Sequence, residues 1–212
     1  MRRANAAGAL LCVAWLAAGC GASIHEIRRH PQQERLERLT GQVTPHTKYP
    51  EKHYWVRVSE PDAHHIGLTI LPHRHIYLSS QLLEEADDDV VLVLLAHGIA
   101  HHRLHHHTTR GLARLFQRIV FKVAGAFVPG LSYGTYLGDP IAEAASGANQ
   151  EAGADDKTAA YLARMGKPPE TILRALEWMQ THGYRERVGR LVLSDHEWAP
   201  RLAHLRRSDG RL

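Results

Sequence analysis

Two histidines, His97 and His101, stand four residues apart in the run His97-Gly98-Ile99-Ala100-His101. On a helix this spacing puts both side chains on one face, a turn apart, so both imidazoles reach a single metal ion. In the related pattern His-Glu-x-x-His, the glutamate after the first histidine takes a proton from zinc-bound water. Here that place is held by Gly98, which has no side chain. A positioned general base contributes roughly 10²–10⁴-fold to a rate, while the metal still polarises a carbonyl and acidifies its water. The candidate substitute is His102, four residues after Gly98 on the same face. Helical side chains lean toward the N-terminus, which points its imidazole, as a base or an extra ligand, at the space a glutamate would use.

A chain with 17 histidines contains His-x-x-x-His pairs by accident. This pair gains weight because it ends an apolar helix, where uncompensated polar groups are costly and a metal explains them. Fifty residues on, Glu151-Ala-Gly-Ala-Asp155 lies on a second helix candidate. Glu151 is the candidate third ligand, and Asp155, one turn along, is placed to orient a ligand histidine. Two histidines and a carboxylate leave one position of a tetrahedral zinc open, as a catalytic centre requires. A different function is suggested by His101-His102-Arg103-Leu104-His105-His106-His107, since histidine-rich tracts bind divalent metals without catalysis.

Over residues 53–207 the chain resembles the HtpX/BepA-type zinc metallopeptidases, which include the CAAX prenyl proteases. "VLVLLAHGIAHHRLHH" is similar to that family's His-Glu-x-x-His helix, and Glu151 to Asp155 to its Glu-x-x-x-Asp motif. "LSDHEWAPRLAHLRR" resembles its closing Ser-x-His segment, with Arg201 and Leu202 beside it. The resemblance implies zinc held by His97, His101 and Glu151, with His196 approaching the metal from the C-terminal side. The departures are Gly98 for the general base, Gly67 for an asparagine, His73-Arg74 for small residues after Pro72, and Gly153 for a second glutamate. Ligands persist while base and substrate strand have drifted, the pattern of a pseudoenzyme. Glutamate at position 98 is then expected to create or raise peptidase activity.

Several elements must position these groups. Strand signals occur at His53–Val58, Ile66–Leu71 and His75–Leu78. Ser79 or Ser80 caps a short helix through Leu83, and Asp87, Asp88 and Asp89 suit the positive end of the next. Val90–Leu95 is apolar nearly all round, so this helix must be buried before it delivers His97 and His101. A polar helix is expected over Gln32–Leu39, an amphipathic core helix over Leu112–Val128, and a loop over 131–148. Further helices follow at Gln150–Met165, at Pro169–His182 and from near Glu197. The expected architecture is α+β: a mainly helical zincin-like domain over 53–212, with a small sheet before the metal-site helix.

The N-terminus has a separate job. Arg2 and Arg3 precede an apolar run from Ala6 to Ala18 that ends Leu16-Ala-Ala-Gly-Cys20, a secretory signal over residues 1–19 too short to span a bilayer. The ending resembles a bacterial lipobox, in which the cysteine is lipidated. Cys20 would be the only cysteine of the mature chain, so no internal disulfide is possible. Residues 20–52 then form a lipidated N-terminus and linker. The expected location is the outer membrane, facing the periplasm, with envelope proteins as substrates or clients. Removing residues 1–19 takes away Arg2 and Arg3 and no acid, lowering the formal charge from +4 to +2. That charge is too small and dispersed to indicate nucleic acid.

Overall fold

A computed structural model describes residues 24–104, 150–189, 191–193 and 195–208. The expected signal segment with Cys20, the histidines at 105–107, the expected helix over 112–128 and the expected loop over 131–148 lie outside the described residues. Among the described residues no helix is long and apolar enough to cross a membrane.

Helix α1, Gln33–Val43, is longer than its sequence signal. It runs through Gly41 because Leu36, Leu39 and Val43 form one apolar stripe, all three at most 2% exposed in the main core. The segment expected as a linker thus contributes part of the domain's packing. Strands β1 (Trp55–Ser59), β2 (Ile66–Leu71) and β3 (His75–Ser79) follow. Strands β4 (Arg185–Val188) and β5 (Leu191–Val192) complete a sheet in the order β1-β3-β2-β4-β5. The β2–β3 and β4–β5 pairs are antiparallel, whereas β1–β3 and β2–β4 are parallel.

The β2–β3 turn is tight, with Leu71 still paired to His75. It puts His73 (φ 61°) and Arg74 (φ 66°) in the left-handed region. Glycine would adopt that conformation more easily, so side chains at these two positions carry backbone strain. Gly67 has a packing cause: a side chain there would run into Leu82 and Tyr184, which leaves no room for asparagine.

Ser79 caps α2 (Ser80–Glu85) by accepting a hydrogen bond from the Leu82 amide at 3.2 Å. Asp87 caps α3 (Asp88–Arg103) through Oδ1, which accepts from the Val90 amide at 2.8 Å. Every residue of α3 from Val90 to His102 is buried, because the helix packs against α1, against β2 and against α5 (Glu170–Thr181). Helix α4 is described over 150–164. A 3-10 turn, Asp195–Glu197, leads into α6 (Trp198–Ser208).

Candidate metal centre

The C-terminal half of α3 presents His97 and His101 to the first described turn of α4, where Glu151 lies. All three side chains are fully buried. His97 Nε2 is 2.9 Å from His101 Nε2, and each of these nitrogens is 3.2 Å from Glu151 Oε2. Donors bound at about 2.0–2.2 Å in a tetrahedral zinc site stand about 3.3 Å apart. The triangle has the right size for one ion, and the three residues form a group capable of holding a metal.

Asp155 Oδ1 lies 3.1 Å from His97 Nδ1, within ion-pair range although the alignment is poor for a hydrogen bond. Contact on that side of the ring leaves Nε2 facing the centre, the orienting role expected of Asp155.

Two further charged groups complete the cluster, and sequence reasoning assigned neither to the site. Arg201, 2% exposed on α6, donates to Asp155 from Nε (2.9 Å) and Nη2 (2.8 Å), and to Glu186 Oε2 from Nη1 (2.7 Å). Glu186, on β4, is fully buried, with Oε2 3.5 Å from His97 Nε2. Its strand, Arg-Glu-Arg-Val, has no apolar alternation to reveal it. The usable signal was Arg201 inside a helix otherwise read for its histidine.

The electrostatics are those of a tightly coupled buried cluster. Burial opposes a charge on His97, but Glu186, Asp155 and Glu151 outweigh it and raise the imidazole well above its ordinary value. Burial, reinforced by the repulsion from His97, lowers His101 despite the attraction of Glu151. Glu151 is pushed up by burial and pulled down further by His101, His97 and Arg201, leaving it well below the carboxylate range. Asp155 and Glu186 are also held low, with Arg201 the largest cause opposing their burial. Among the described residues the fully buried carboxylates number three, facing one guanidinium. Two negative charges are left over, and a divalent cation bound by neutral histidines would balance them.

The remaining expected site residues lie elsewhere. At Gly98 a Cβ would stand 3.0 Å from Ile76 Cδ1 and 3.3 Å from Cγ2. Ile76 of β3 therefore fills the space in which the missing glutamate's side chain would start, and His102 does not. A glutamate at position 98 would therefore need the Ile76 side chain to give by a few tenths of an ångström. His102 is buried, but its Nε2 lies 3.4 Å from the His75 carbonyl and its ring 6.1 Å from Tyr54. His196 is exposed on the 3-10 turn, and its segment contributes Arg201 to the cluster. Gly153 faces Leu104 at 3.8 Å rather than the metal group.

An α+β scaffold, a buried His-x-x-x-His helix beside a sheet and a glutamate from the following helix define a metallopeptidase-type domain. Peptidase family M48 matches the chain over residues 30–192, and the chain belongs to that family. A comparison with curated proteins gave no match.

Proposed function

We propose that this protein is a zinc-binding member of the family, of the HtpX/BepA type, whose proteolytic activity is lost or strongly reduced. His97, His101 and Glu151 hold the ion, and Asp155 orients His97. When bound, zinc supplies Lewis-acid polarisation of a carbonyl and of water. The observation that carries the loss of activity is Gly98 packed against Ile76. The carboxylate that would take the proton is missing, and a Cβ at that position would already stand 3.0 Å from the buried Ile76 side chain. The protein acts as a lipid-anchored, periplasm-facing binder of envelope proteins, attached to the outer membrane through Cys20.

Metal analysis of the purified soluble chain should give about one zinc per molecule, lost in a variant with His97, His101 and Glu151 all replaced by alanine. Unchanged metal content in that variant would transfer binding to the histidine-rich tract. Casein should survive incubation with the wild type; strong, chelator-sensitive cleavage would show an active endopeptidase instead. Cys20→Ala should release the protein from the membrane fraction, and retention there in high salt would sink the anchor.

A further inference from the structure

Glu186 is unexplained by the chemistry of the family motifs. It sits on β4, whose backbone is fixed by parallel pairing to β2, with Glu186 opposite Leu68, and by the Leu193 amide donating to its carbonyl at 2.8 Å. The strand therefore holds the side chain in the interior beside the His97 edge of the metal triangle. Oε2 is committed to Arg201 at 2.7 Å. Oε1 is buried without a hydrogen-bond partner among the described residues. A buried carboxylate oxygen left unpaired is costly, and neutralising Arg201 does not account for it. Asp155 already takes two hydrogen bonds from that guanidinium. The surplus anion lies beside the His97 corner of the triangle, with Oε2 3.5 Å from His97 Nε2.

We infer that Glu186 is the fourth ligand of the metal, turning the open three-ligand centre into a closed site of two histidines and two glutamates. Four protein ligands characterise structural zinc sites, whereas catalytic sites keep one position for water. Gly98 and Glu186 then have one sense: the first supplies no base, and the second occupies the position where water would be activated. Glu186 lies outside the tight group of His97, His101 and Glu151, so a side-chain rotation toward the ion accompanies binding. Arg201, whose Nη2 lies 3.4 Å from His97 Nε2 and whose Nη1 lies 3.6 Å from Glu151 Oε2, draws back from the triangle as Glu186 turns in, while still balancing Asp155. This inference rests on the proposal that the triad binds zinc.

Zinc affinity measured against a competing chelator should fall about 100-fold or more in Glu186→Gln, a larger loss than the roughly 10–100-fold typical of groups that only orient a ligand. Because Glu186→Gln also disturbs Arg201, a crystal structure of the zinc-loaded wild type decides the question without a variant. A Glu186 oxygen at about 2.0–2.2 Å from zinc is expected. Water in the fourth position, with Glu186 in outer contact, would overturn the inference while leaving the triad intact. Wild-type zinc affinity in a folded Glu186→Gln would also overturn it. A wild type that binds no zinc would remove the triad reading itself, and the inference with it.

Discussion

The two ends of α3 carry the same kinds of charge in opposite settings. At the N-terminal end, Asp88 meets Arg35 and Arg38 at 2.6 and 2.8 Å, and Asp89 meets Lys167 and Arg174 at 2.7 and 2.6 Å. The Asp88 side chain is 50% exposed and that of Asp89 34%. At the other end, His97, His101, Glu151, Asp155 and Glu186 are fully buried around Arg201. Short distances occur at both ends, so distance does not distinguish them. Solvent does. Water screens the first set and competes for every hydrogen bond, whereas the second set must be neutralised by its own members or by an ion. The outer pairs tie α3 to α1 and α5; the inner set contains a group able to hold a metal.

The largest effect should follow from breaking the inner set. Arg201→Met leaves Asp155 and Glu186 without their cation and should destabilise the metal-free protein by about 3–5 kcal/mol, read by urea denaturation in chelator. Added zinc should recover part of the loss by replacing the missing positive charge. A loss under about 1 kcal/mol would mean that the inner charges do not sustain one another.

Gly98→Glu should cost about 1–3 kcal/mol through overpacking against Ile76 and should give no casein cleavage by itself. In a double-mutant cycle with Ile76→Ala, Gly98→Glu should cost less than it does beside Ile76, because the carbon atoms it meets are gone. The packing account also makes a milder claim. With Ile76→Val removing the Cδ1 contact, Gly98→Ala should stabilise by up to about 1 kcal/mol, because alanine replaces glycine within a helix. Chelator-sensitive cleavage by Gly98→Glu alone would show that Ile76 is no barrier.

The two states of the inner set should respond to pH in opposite directions. The raised value of His97 means that stability from its protonated form is fully present below the unfolded value near 6.5, and is lost as pH rises through the folded one. Zinc needs the deprotonated ring, so apparent zinc affinity should climb with pH by up to about tenfold per unit below that folded value. Melts with chelator and with zinc, across about pH 6 to 9, should therefore diverge. Parallel curves would place His97 outside the metal site.

The smallest effect belongs to the outer set. Asp88→Asn should change stability by no more than about 0.5 kcal/mol, and salt should diminish the difference. Its carboxyl is held below the usual range by hydrogen bonds from Arg38 and Arg35. The contribution is present above the unfolded carboxylate value and lost as pH falls through the folded one. A loss comparable to that of Arg201→Met would erase the distinction between the ends.

The strands before the metal-site helix were legible because alternation, β-branching and Pro72 are local signals. β2 matches its expected span of Ile66–Leu71, and β1 and β3 shift by a residue or two at their ends. The all-apolar run Val90–Leu95 likewise announced a buried helix, and its two histidines meet Glu151 in a group able to hold a metal. Spacing alone placed His97 and His101 on one face, since helical geometry converts four residues into one turn.

What sequence could not supply was the set of partners that chain folding brings together. Glu186 lies 35 positions after Glu151, on a strand whose alternation is hidden by arginines. Its burial is tolerable only because Arg201 reaches it from another helix. A glycine after His97 is a fact of sequence; Gly98 as a contact surface for Ile76 is a fact of how α3 packs on β3. Ligand spacing is set by the local helix and survives in the sequence. Charge balance and available space depend on residues distant in the chain, and the tertiary structure decided both.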